Sequence, residues 1–141
     1  MLRGLSTITY TAHDVAAARD WYAELLGVDA YFAKDLAGAL AYAEFRIGDH
    51  QAELGLLDAR YVPGGPPATP GAVGTVAYWA VDDVHAAHAR LLGLGCTEHG
   101  PVTEQGPGFV TASVLDPFGN VLGIMYNEHY LAVVGPATTE T

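Results

Sequence analysis

The sequence predicts an α+β fold made of two tandem βαβββ modules, and three observations carry that prediction. A helix start is written twice: Asp14-Val15 and Asp83-Val84 lie 69 residues apart, and two glycines placed to end the helices, Gly27 and Gly95, fall at nearly the same interval. A strand-like stretch precedes each start, at 7–12 and at 76–81. Between the two copies, residues 60–74 carry four prolines and four glycines, which lack the donors and side chains to build a core and read as a linker. The expected boundaries are therefore 1–58 for the first module, 59–73 for the linker, 74–127 for the second module and 128–141 for a tail.

Each element has its own justification. Thr7 to Ala12 alternates, with Ile8, Tyr10 and Ala12 on one face and three threonines on the other, as a half-buried strand does. Asp14 is placed to cap a helix over 15–26, whose Val15, Ala18, Tyr22 and Leu25 or Leu26 form an apolar stripe facing Ile8. Two strands are expected at 29–32 and 39–47, although the alanines of 37–43 would also suit a helix. Gly48-Asp49 signals a hairpin into the alternating stretch 51–57. In the second module a strand at 76–81 leads to a helix over 84–94, capped from Asp82-Asp83 and closed by Gly95. A Pro- and Gly-bearing loop at 100–108 then leads to a strand at 109–115. The tail holds a short apolar patch at 130–134 before turning polar, and is expected to fray.

The strongest local signal is the run Asp116-Pro117-Phe118-Gly119-Asn120. Asp at the first position, Pro at the second and Gly at the fourth fit a type I turn, because Pro presets φ and Asp bonds its own backbone. Beyond it, Leu122, Ile124 and Tyr126 share one face of a strand while Val121, Gly123 and Met125 share the other.

Composition bounds the function. A chain of 141 residues, half of them hydrophobic, can bury one core or two small ones without a disulfide or metal staple. The single Cys96 has no intramolecular partner, and the start of the chain has neither a basic segment nor an apolar run of signal-peptide length, so a cytoplasmic protein is expected. Sixteen acidic residues against six basic ones give a net charge of −10, which argues against nucleic acid and serves solubility, and no apolar run approaches the length needed to cross a bilayer, so no membrane partner is expected. Cationic small molecules would be attracted.

The two modules, the helix segment Ala18-Arg19-Asp20-Trp21-Tyr22-Ala23-Glu24-Leu25-Leu26-Gly27 and the Asp116-Pro117-Phe118-Gly119-Asn120 turn together resemble the vicinal oxygen chelate superfamily. That superfamily includes glyoxalase I, extradiol dioxygenases and bleomycin resistance proteins. The resemblance spans about residues 5 to 127 and implies curled mixed sheets around a cavity, in a homodimer. It also implies four metal-ligand positions, on the first and last strands of each module. Here those positions, seven before each capping Asp, are Thr7 and Val76; on the last strands they are Glu53 and, seven beyond Asp116, Gly123. Only Glu53 has the chemistry of a ligand, and a catalytic divalent site generally needs at least three, so no metal and no cofactor is expected. His85 and His88, three apart on the second helix, read as a solvated face rather than a metal pair.

Strand neighbours at spacing two point the same way as the ligand positions. The implied lining is thus Thr7, Thr9, Thr11 and Glu53 with Gly55, together with Val76, Tyr78, Gly123 and Met125. Tyr42 and Glu44 join them, and Gly123 is expected to leave open space. Trp79 falls by parity on the helix side. Two functions from different classes fit. One is a metal-free protein that sequesters an aromatic or cationic compound, such as an antibiotic, with Glu53 as counter-charge. The other is a lyase, isomerase or dioxygenase-type enzyme with Glu53 as the catalytic base or with a non-standard metal site.

Overall fold

The computed structural model describes residues 1, 5–63, 69 and 76–135. Most of the expected linker, residues 64–68 and 70–73, lies outside the described residues, as does the end of the tail. The chain divides into two compact units, Met1–Pro70 and Gly71–Thr141.

In the first unit β1 (Thr7–Ala12), α1 (Val15–Leu26), β2 (Phe32–Leu36), β3 (Ala39–Ile47) and β4 (Ala52–Asp58) follow in order. The strands form an open mixed sheet in the order β1-β4-β3-β2, with β1 and β4 parallel and the other pairs antiparallel. Asp14 caps α1 by accepting from the Ala17 N–H at 3.0 Å, and Gly27 closes it in the left-handed region at φ 71°. The helix lays Val15, Ala18 and Tyr22 against the face of the sheet that carries Tyr10, Ala41, Ala43, Phe45, Leu54 and Leu56, all buried. Each large side chain so buried contributes about 1.5–3 kcal/mol. The alanine-rich run of 39–43 is strand: its alternate residues Ala41 and Ala43 pack under α1, so tertiary burial overrides helical propensity. The strand expected at 29–32 starts at Phe32 instead, and Ala37-Gly38, both at positive φ, make the turn into β3. After β4 a single 3-10 turn, Ala59–Tyr61, begins the segment read as linker.

The second unit repeats the plan with β5 (Tyr78–Ala80), α2 (Val84–Gly93), β6 (Thr97–Gly106), β7 (Phe109–Leu115), β8 (Val121–Asn127) and α3 (Glu128–Val134). The strand order is β5-β8-β7-β6, again with the first and last strands of the module parallel. Asp83 caps α2 from the Ala86 N–H at 3.0 Å, as Asp14 does in α1. The turn at Asp116 forms, with Gly119 N–H on the Asp116 carbonyl at 3.1 Å. The buried Asp116 carboxylate accepts from the backbone N–H groups of Phe118 and Asn120 and from the Asn120 side chain.

Two expectations are corrected. The segment read as a loop at 100–108 is mostly β6, which tolerates Pro101 because it is an edge strand and pairs with β7 through three register shifts. The tail does not fray at once: Asn127 caps α3 from the N–H groups of His129 and Tyr130.

Candidate functional site

Alternation on β3 buries Ala41, Ala43 and Phe45 and sends Tyr42, Glu44 and Arg46 to the side of the sheet opposite α1. The ladders set those residues in three rows. Thr7, Glu53 and Arg46 form the first; Thr9, Gly55, Glu44 and Phe32 the second; Thr11, Leu57, Tyr42 and Lys34 the third. The expected lining residues Thr7, Thr9, Thr11, Tyr42, Glu53 and Gly55 therefore lie together on one sheet face.

Glu53 is the hub of this face. Its Oε1 accepts from the Thr7 hydroxyl at 3.1 Å; its Oε2 accepts from the Tyr31 hydroxyl at 3.1 Å and from Arg46 Nη2 at 3.3 Å and Nε at 3.4 Å. The Arg46 guanidinium also stacks on the Tyr31 ring, 4.2 Å from its centroid. Sequence reasoning missed Tyr31 and Arg46. Arg46 was within reach, since it continues the spacing-two series Tyr42, Glu44; Tyr31 was read inside a strand at 29–32 but precedes β2, so its parity there carried no usable signal.

Next to this hub, the Tyr42 hydroxyl donates to Glu44 Oε1 at 2.5 Å. Gly55 makes that bond possible: a Cβ there would collide with the Tyr42 ring, which lies across the glycine. Phe32 meets the same ring edge-on, centroids 6.3 Å apart. Burial, then the Glu53 charge and a hydrogen bond shared with Glu53, raise the Glu44 carboxyl above the usual range against a weaker opposing pull from Arg46. Burial, then Glu53, also raise the Tyr42 phenol. Beside the Arg46–Glu53 pair a shallow depression of about 530 Å³ opens, bounded by Leu5, Ser6, His50 and Gln51.

The second sheet has a poorer face. Tyr78 lies opposite Gly123 and Ala80 opposite Met125, so Tyr78, Gly123 and Met125 do share a side, while Val76 precedes β5. Gly123 leaves no opening. A Cβ there would stand 2.6 Å from the Ala77 carbonyl oxygen and 2.8 Å from the Tyr78 ring, so the expected space is filled. Ladder register also changes its partner. Tyr78 is the counterpart of Thr9 by the 69-residue step, and Thr9 lies opposite Gly55, so in pairing Gly123 corresponds to Gly55 rather than to Glu53. Further along, His99 Nδ1 bonds Ser113 Oγ at 2.9 Å, and Gln105 donates to Thr111.

A divalent ion does not fit the inherited positions. Thr7 spends its hydroxyl proton on Glu53, Arg46 already supplies the positive charge there, Val76 has no donor atom and Gly123 no side chain. Among the described residues no group of three or more His, Cys, Asp and Glu side chains converges on a metal position. Of the helix pair, His85 is exposed and His88 turns its Nε2 to within 3.9 Å of Glu98. No helix among the described residues is long and apolar enough to cross a membrane.

Comparison with known proteins agrees with this architecture. The chain is similar to TnmS3, an antibiotic binding protein from Streptomyces sp. CB03234: 26% identity, 87% of this chain and 94% of that one covered, TM-score 0.64. It is similar to a glyoxalase/bleomycin resistance protein from the same organism, with 26% identity, 86% and 98% covered and TM-score 0.62. It shares its fold with lactoylglutathione lyase from Agrobacterium tumefaciens, with 20% identity, 92% and 98% covered and TM-score 0.64. No curated protein matches it. The family profile described as Glyoxalase/Bleomycin resistance protein/Dioxygenase superfamily matches residues 4–124, nearly the whole chain, and the protein belongs to that superfamily.

Proposed function

We propose that this protein binds and sequesters an aromatic small molecule of the antibiotic kind on the open face of its first sheet, without a metal. The observation that carries the reading is the state of Glu53. The one residue with ligand chemistry among the four that the sequence resemblance marks is turned to Thr7, Tyr31 and Arg46, so it organises a surface rather than holding an ion. What that surface offers is aromatic. Tyr31 and Phe32 are each 47% exposed, and the half-buried Tyr42 completes the wall. Aromatic faces with a few fixed polar groups suit a flat, partly polar ligand. The likeness to the antibiotic-binding TnmS3 supports the same class of ligand.

We assign the protein to the cytoplasm and propose a homodimer, since β2 is an edge strand exposed along its length and carries Phe32 and Leu36. The test is a calorimetric titration with a panel of polycyclic aromatic antibiotics, together with metal content after purification without chelator. Saturable binding by metal-free protein is expected. Stoichiometric metal, or no saturable binding across the panel, would overturn the reading.

A further inference from the structure

Two carboxylates stand on the open face of the first sheet, and they are not equivalent. Glu53 has a guanidinium and two hydroxyls to itself. Glu44, diagonal to it across β3 and β4, accepts from the Tyr42 hydroxyl, shares a hydrogen bond with Glu53 and forms no ion pair among the described residues. We propose that Glu44, not Glu53, is the residue that selects the ligand, and that it selects a cationic aromatic by pairing with its charge while the ligand ring lies against Tyr42 and Phe32. This rests on the binding reading above.

The charges around Glu44 can be followed element by element. On β3 it has Tyr42 and Arg46, and Arg46 is committed to Glu53. On β4 it has Gly55 opposite and Glu53 diagonal; on β2, Phe32 opposite and Lys34 diagonal, the latter exposed and without an ion pair to Glu44. The patch thus carries two carboxylates against one guanidinium bound to Glu53, with Lys34 paired to neither, so Glu44 is the less compensated of the two. Its proton affinity agrees: burial and Glu53 push it upward, the cost of an anion in want of a cation. Geometry adds the second half. Gly55 lets the Tyr42 ring lie flat across β4, and Phe32 buttresses its edge, so an aromatic wall stands within hydrogen-bond reach of the carboxylate. A protonated amine on a flat ring system meets both at once, and partial burial strengthens the pairing.

The test is fluorescence titration with two probes of the same ring system at mildly alkaline pH, 9-aminoacridine as the cation and acridine as the neutral ring, on wild type, Glu44→Gln and, as control, Glu104→Gln. Wild type is expected to favour the cation by at least about tenfold, the effect of one charged hydrogen bond. Glu44→Gln should abolish that preference while melting no lower than wild type, because it removes repulsion with Glu53 and keeps the Tyr42 bond. Glu104→Gln, which removes an exposed carboxylate from β6 in the second unit, should retain the preference. Equal binding of the two probes by wild type, or a preference that survives Glu44→Gln, would overturn the role of Glu44 and leave the binding reading standing. Failure of both probes to bind would overturn both.

Discussion

Each sheet sets a tyrosine over a glycine of its last strand, Tyr42 over Gly55 in the first unit and Tyr78 over Gly123 in the second. The two glycines correspond in register, but the tyrosines come from different strands, β3 and β5, and their chemistry differs too. Tyr42 reaches a carboxylate and stands beside a second one with its own arginine, whereas Tyr78 is 44% exposed and hydrogen-bonds to none of the described residues. Duplication preserves the strand geometry because every residue of a ladder depends on it. Among the described residues, this network of carboxylates, tyrosines and arginine stands on the first copy.

The contrast can be broken at its stiffest point. Gly123→Glu would restore a carboxylate to the position where the superfamily resemblance implies a metal ligand, but its Cβ would press on the Ala77 carbonyl, which is backbone and cannot swing aside. Overpacking of this kind costs about 1–3 kcal/mol. Urea denaturation should show that loss, with no gain in zinc binding by the folded variant. A stable, zinc-binding variant would mean that the second face is more adaptable than its contacts indicate.

Glu53→Gln acts on the first face. It keeps the shape and removes the charge opposite Arg46, a pair that is half exposed on the arginine side. An exposed ion pair contributes up to about 1 kcal/mol, so denaturation should show a loss of that order and freer Arg46 and Tyr31 side chains. A loss several times larger would make Glu53 a core element of the fold rather than the organiser of a surface.

Acid provides a third comparison, within the first unit. Hydrogen bonds from the Arg60 side chain, then from its backbone N–H, hold the Asp58 carboxyl below its ordinary range. A depressed pKa stabilises the fold above the unfolded value, about 3.9, and that contribution is lost as pH falls through the folded value below it. Melting curves in this range should therefore drop less steeply for Arg60→Gln than for wild type. Identical slopes would show that the pair plays no part in acid stability. The smallest effect concerns Ala37, held at φ 51° in the turn before β3. Asn tolerates this conformation better, so Ala37→Asn should stabilise the protein by up to about 1 kcal/mol in the same denaturation assay.

How much of this was legible follows from where each residue's information lies. Both long helices were readable because the caps Asp14 and Asp83, and the glycines beyond them, are local signals. The strand β6 was not, because Gly100, Pro101 and Gly106 are turn residues whose tolerance at an edge depends on a neighbour far along the chain. Parity grouped the threonines, and Glu53 with Gly55; that the two groups share one face came from the superfamily resemblance. That Glu53 is already neutralised could not be read, since it depends on Arg46 arriving from β3 and Tyr31 from the segment before β2. Nor could the filling of the space at Gly123, since an absent side chain carries no sign of what occupies its place.

The central claim is that ligand binding belongs to the open face of the first sheet. Amide chemical-shift mapping during titration with 9-aminoacridine tests it most directly. Shifts concentrated on β1, β3 and β4, at Thr7, Thr9, Glu44 and Gly55, are the predicted result; shifts confined to the strands of the second unit or to α1 would contradict it.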